Sequence, residues 1–140
     1  MDEYTSCPRF WGLTCPGSAE EVGRVRRWAR DVLRHCACVD DVAVIVSELS
    51  TNAVMHTDSG EGYFHVVLTL SERVVAVSVM DSGGAADAPI AERAEPTATN
   101  GRGLALVADL ATRLAVRRNE EGHTVTAELL LPTSTQGDAR

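Results

Sequence analysis

The spacing of apolar positions changes several times along the chain, and each change marks an element. "RFWGLTCPGS" (9–18) reads as a short extended segment closed by Pro16-Gly17. Ser18, with Glu21 three residues on, makes a capping-box start. The helix it opens runs to about Arg34, with Val22, Val25, Trp28, Ala29, Val32 and Leu33 inward and Arg24, Arg26, Arg27 and Arg30 on a solvated outer face. Residues 35–40 are a connection. Asp40 or Asp41 caps a second helix that runs to about His56, in which Val44, Ile45, Leu49 and Ala53 face a sheet. "TDSGEG" breaks that helix.

Two strand-like runs follow, "YFHVVLTL" and "RVVAVSVMD", joined as a tight hairpin at Ser71-Glu72. From Ser82 to Gly101 periodicity disappears, and a loop of that length inside a small domain is usually functional or mobile. Helical spacing returns in "GLALVADLATRL", "AVRRN" is a strand, 119–122 a turn, and "HTVTAELLL" a last strand before a frayed tail, "PTSTQGDAR". The order α-α-β-β-loop-α-β-β groups the strands into antiparallel hairpins. It predicts an α+β fold, a two-layer α/β sandwich whose mixed, mainly antiparallel sheet carries helices on one face.

Length and composition narrow the classes. At 140 residues the chain is expected to be one domain, 1–140, with its core at about 16–132 and a flexible tail at 133–140. The net charge of −7, without any block of like charge, argues against a general nucleic-acid binder. Every basic residue is Arg, which removes lysine-dependent phosphate loops and Schiff bases. No apolar run reaches membrane-spanning length and no signal-peptide layout opens the chain, so the expectation is a cytoplasmic protein without membrane contact. Cys36 and Cys38 make a C-x-C with Cys7 and Cys15 far upstream, a poor zinc pattern, so buried or incidental thiols and no zinc are expected.

Three segments carry chemistry. In "VSELSTNAVMHT", Glu48, Asn52 and His56 lie four residues apart on one stripe of an otherwise core-forming helix. Taken alone, such a stripe also fits a capped core Asn, an exposed Glu and a helix-end His. "VMDSGGA" ends an apolar strand with Asp81 before two glycines; a carboxylate there can accept from an exocyclic amine while glycine lets a flat ring approach. "NGRGLAL" opens a helix with Gly101 and Gly103, and bare amides at a helix N-terminus suit phosphate. Each motif is weak alone; their order along the chain is specific.

Together these segments resemble the GHKL ATPase superfamily, whose domain has the Bergerat, or histidine-kinase-like ATPase, fold, over about residues 16–132. "ELSTNAVMH" is similar to its N box, "DSGGA" to its first glycine box and "GRGLAL" to its second. The resemblance implies ATP and Mg²⁺ between helices and sheet, under a lid at about 84–100. It implies that Asn52 gives its amide oxygen to Mg²⁺, Asp81 takes the adenine amino group and Gly83 flanks the base. Gly101, Arg102, Gly103 and Leu104 would cradle phosphates, and Glu48 would be the general base. The "SEL-x-TNA-x-x-H" pattern looks most like bacterial anti-sigma-factor serine/threonine kinases. Such a kinase phosphorylates a STAS-type anti-anti-sigma partner and sequesters a sigma factor, with no direct nucleic-acid contact, and homodimers are common among relatives. The alternative is a non-catalytic ATP-binding switch that acts by protein binding alone. Two departures stand out: Ala85 ends the first glycine box where many relatives carry another small residue or Gly, and Gly122-His123-Thr124 stands where relatives often have Gly-Thr, leaving open whether His123 or Thr124 turns toward the base.

Overall fold

A computed structural model describes residues 8–56, 62–81, 101–119 and 122–132, with the backbone alone at 56, 101–103 and 119. The elements are β1 (Arg9–Pro16), α1 (Glu20–Val32), α2 (Val39–His56), β2 (Tyr63–Leu70), β3 (Val74–Asp81), α3 (Gly101–Leu110), β4 (Arg113–Asn119) and β5 (Gly122–Leu130). The strands form one five-stranded sheet in the order β1-β2-β3-β5-β4. All four pairings are antiparallel, so the mixed sheet expected from sequence is here antiparallel throughout. The fold is an α+β two-layer sandwich.

Strand alternation explains why the layers separate. Phe64, Val66 and Leu68 of β2, Val75, Val77 and Val79 of β3, and Val125, Ala127 and Leu129 of β5 are all buried on one face. Their neighbours Tyr63, Val74, Met80, Thr124 and Leu130 point to the other face, partly or fully exposed. Onto the inner face α2 brings Val42, Ile45, Val46, Leu49 and Ala53, and α1 brings Val25 and Ala29. Each buried Val, Leu, Ile or Phe among them stabilises the fold by roughly 1.5–3 kcal/mol through the apolar area it removes from water, and each Ala by less. Packing joins α2 to α1, α3, β2, β3 and β5, so α2 is the hub of the helical layer.

Several boundaries differ from the sequence reading for identifiable reasons. The extended segment at 9–16 is a full edge strand, in register with β2 from Arg9↔Leu70 to Pro16↔Tyr63. The capping box at Ser18 does not form: Ala19 is the N-cap of α1, without a side-chain cap. Instead the Glu21 N–H donates to the Ser18 carbonyl at 3.0 Å, and the Glu21 carboxylate accepts from Arg24 at 3.1 Å. Helix α2 begins at Val39, so Asp40 and Asp41 lie in its first turn, beside the positive end of the dipole, rather than at the cap. Asp40 accepts from Arg30 at 3.0 Å. Val44, expected to face the sheet, is 37% exposed, because the buried arc of α2 turns toward Val42, Val46 and Ala53.

Helix α3 stops at Leu110, four residues earlier than its apolar pattern suggests. Sheet pairing takes over: the Thr112 N–H donates to the Glu128 carbonyl at 2.7 Å, and the Thr112 hydroxyl accepts from the Leu130 N–H at 3.1 Å. Arg113 and Leu114 then pair with Glu128 and Ala127 of β5. The break expected at 57–62 falls largely, and the tail at 133–140 wholly, outside the described residues.

Candidate functional site

The candidate residues lie on elements packed on one another. Helix α2 carries Glu48 and Asn52 and contacts both β3, which ends in Asp81, and α3, which opens with Gly101–Leu104. A helix turns by about 100° per residue, which places Glu48 and Asn52 beside Ile45 at one margin of the buried arc. Ser47 lies at the opposite margin, where it accepts from Arg26 of α1 at 3.1 Å. The polar stripe therefore runs along the edge of α2 away from α1. Both Glu48 and Asn52 are half-buried, and among the described residues neither side chain makes a hydrogen bond or ion pair.

Asp81 is the opposite case. It is 4% exposed, the last residue of β3, paired in register with Phe64 of β2. A carboxylate removed from water needs hydrogen bonds, and β5 supplies one. The His123 main-chain N–H donates to Asp81 Oδ1 at 3.0 Å, and His123 Nδ1 lies 3.4 Å from Asp81 Oδ2. Gly122 makes the approach possible: its φ of 140° is a backbone conformation that glycine adopts and L side chains rarely do.

These contacts answer which residue of Gly122-His123-Thr124 turns inward. His123 is 9% exposed and shares its face with Val125, Ala127 and Leu129; Thr124 shares the outer face with Thr126 and Glu128. The alternation of β5 carried that signal in the sequence. The pairing with Asp81, across 42 positions, was not legible there.

Leu104 is half-buried and packs on the core, which anchors the first turn of α3 while its leading amides stay at the helix N-terminus. Gly83 and the lid at 84–100 lie outside the described residues, and Arg102 is described only in its backbone. At the other end of α2, Cys36 Sγ and Cys38 Sγ are 2.7 Å apart. Burial, then the Cys36 thiol, pushes the Cys38 thiol up to about 12. Cys15 is also raised, first by burial and then by nearby Glu21. Among the described residues no group of three or more His, Cys, Asp or Glu side chains could hold a metal ion, and no helix is long and apolar enough to cross a membrane.

Against known proteins, the family model for the histidine kinase-like ATPase domain matches residues 15–129. No curated protein matches. Among solved structures, the RsbU and RsbW domains of Rv1364c from Mycobacterium tuberculosis superpose with a TM-score of 0.67 at 21% identity, over 88% of this chain and 32% of that one. The histidine kinase domain of the blue-light-activated histidine kinase EL346 from Erythrobacter litoralis gives a TM-score of 0.55 at 21% identity, over 89% and 66%. This chain thus spans about a third of the first structure and two-thirds of the second. At such identity the likeness is one of fold.

Proposed function

Because the chain belongs to the histidine kinase-like ATPase domain family, we propose that it binds ATP and transfers the γ-phosphoryl group to a serine or threonine of a protein partner. The observation that carries this reading is the polar edge of α2, Glu48 and Asn52, on a helix packed against the strand that ends in buried Asp81. In this reading the Asp81 carboxylate accepts from the adenine amino group, and Gly83 lies beside the base. The N-terminal amides of α3, from Gly101 through Arg102 and Gly103 to Leu104, face the phosphates, with the helix dipole behind them.

The half-buried amide of Asn52 suits Mg²⁺, which prefers oxygen donors and keeps several waters. Its oxygen would hold the ion, whose chemistry is to neutralise phosphate charge. Glu48, one turn earlier on the same stripe, takes the proton from the attacking hydroxyl. Positioning by the helix edge and the α3 amides supplies most of the rest, as in phosphoryl transfer generally.

The biological output we propose is that of an anti-sigma factor acting in the cytoplasm. It phosphorylates an anti-anti-sigma partner of the STAS type and, when not engaged with it, sequesters a sigma factor. The N-box pattern supports this, as does the fold likeness to a protein that carries an RsbW domain. Incubating the chain with γ-labelled ATP, Mg²⁺ and candidate STAS-domain proteins tests it. Label should enter a partner serine or threonine with wild type and fall, together with nucleotide affinity, in Asn52→Ala. A wild type that binds Mg-ATP yet labels no partner would leave a nucleotide-dependent binding switch as the function.

A further inference from the structure

We propose that His123 is a positioning residue for the nucleotide base: its main-chain N–H and its imidazole together clamp the Asp81 carboxylate in one orientation, and that clamp sets the preference for adenine over guanine. The inference rests on Asp81 being the base acceptor. It adds a residue that the glycine-box and N-box motifs do not contain.

The geometry is two-point. Oδ1 accepts a hydrogen bond from the main-chain N–H at 3.0 Å, and Oδ2 lies 3.4 Å from Nδ1, a charge contact without hydrogen-bond geometry. A carboxylate offers about four acceptor directions over its two oxygens, so contacts at both oxygens fix its rotation while leaving acceptor capacity for a ligand. Asp81 and His123 are both buried, so water does not loosen the clamp by competing for the oxygens. The backbone reinforces it. Asp81 is tied to Phe64 across β2, and His123 is fixed between Gly122, which pairs with Asn119, and Thr124, which pairs with Met80.

Selectivity follows from that rigidity. Adenine presents an amine donor at the position where guanine presents a carbonyl oxygen. A fixed carboxylate accepts from the first and repels the second. A carboxylate free to swing can instead accept from guanine's ring N–H and 2-amino group, so releasing the clamp erodes discrimination as well as affinity. With its proton on Nδ1, the His123 ring places a polar N–H 3.4 Å from Oδ2. Asparagine can place an amide N–H near the same point, whereas leucine fills the space without a donor.

The test is calorimetric titration of wild type, His123→Leu and His123→Asn with Mg-ATP and Mg-GTP, repeated in an Asp81→Asn background, with circular dichroism melts as the check on folding. ATP affinity should fall about threefold to tenfold in His123→Leu, the worth of one polar contact to Asp81. The ATP-over-GTP preference should narrow with it, and His123→Asn should recover most of both. In the Asp81→Asn background His123→Leu should add little, because the two residues act as a unit. His123→Leu with wild-type affinity and preference, or no recovery in His123→Asn, overturns the clamp and leaves the nucleotide-binding reading intact. A wild type that binds neither nucleotide sinks that reading and the clamp with it. Should the variants fail to fold, nitrogen-15 spectra of the wild-type histidines decide. The clamp requires a proton on His123 Nδ1 and a shift of its ring resonances on adding ATP; an Nδ1 without a proton, or ring signals unmoved by saturating ATP, rejects it.

Discussion

Two carboxylates of this molecule sit in opposite surroundings. Glu48, on the margin of α2, is half-buried, and its side chain makes no hydrogen bond or ion pair among the described residues. Asp81, at the end of β3, is buried and held through its oxygens by a residue from the neighbouring strand. The contrast separates two kinds of work. A group that must recognise one shape gains from being fixed before the ligand arrives, because ordering it then costs nothing on binding. A group that must pick up a proton needs access to the reacting atoms and room to adjust. The sheet provides the first setting and the helix margin the second.

Glu48→Gln probes the unanchored side of the contrast and should have the largest effect. Phosphoryl transfer at saturating ATP should fall by roughly 10²–10⁴-fold, the usual share of general-base help, while Mg-ATP affinity stays near that of wild type. Radiolabel transfer and calorimetry measure the two quantities separately. Equal losses in both would mean that Glu48 holds nucleotide, and the division of labour would fail.

Asp81→Asn probes the anchored side. It keeps the shape but replaces an ionised acceptor with an amide, at a cost of roughly 1.5–3 kcal/mol in ATP binding. Preference over GTP should relax at the same time. An unchanged affinity and preference would move the base contact elsewhere.

Both tests rest on features that differ in how well the sequence displays them. The Glu48–Asn52 stripe, the inward set of β5 and the strand-end Asp81 all follow from local periodicity, so they are legible one element at a time. What escaped was set by other elements. Ser18 lost its capping role to the backbone turn at Ala19 and to the Glu21–Arg24 pair. The last turn expected of α3 went to the sheet, because Thr112 bonds to β5 with both its N–H and its hydroxyl. The hold of His123 on Asp81 needs two strands in register, and no window of sequence contains both.

The start of α2 extends the comparison of buried and exposed groups to pH. The Cys38 thiol is pushed up to about 12 in the folded protein, mainly by burial, against an ordinary value of 9.0. Its sign is that of a raised group. The contribution is fully present below pH 9 and is lost as pH rises toward 12, since the unfolded chain ionises first. Urea midpoints should therefore drop more steeply between pH 8.5 and pH 10.5 in wild type than in Cys38→Ser (both pH values chosen to bracket the ordinary thiol range, about 8.5–9). Parallel curves would place Cys38 in a more solvated setting.

The smallest expected effect lies on the same helix, between the two site residues. Ser50 is fully buried, and its hydroxyl has no hydrogen-bond partner among the described residues. An unsatisfied buried hydroxyl costs about 1–3 kcal/mol, so Ser50→Ala should stabilise the fold by up to about 1 kcal/mol after the lost packing is counted. A drop in the urea midpoint would assign the hydroxyl a partner in solution.

Calorimetric titration of the wild-type chain with Mg-ATP, and with Mg-GTP as the competitor base, tests the central claim most directly. A nucleotide site built from the edge of α2, the end of β3 and the start of α3 predicts saturable, one-to-one binding of Mg-ATP and a clear preference over Mg-GTP. No detectable heat with any adenine nucleotide, at protein concentrations that would reveal a millimolar site, would contradict it.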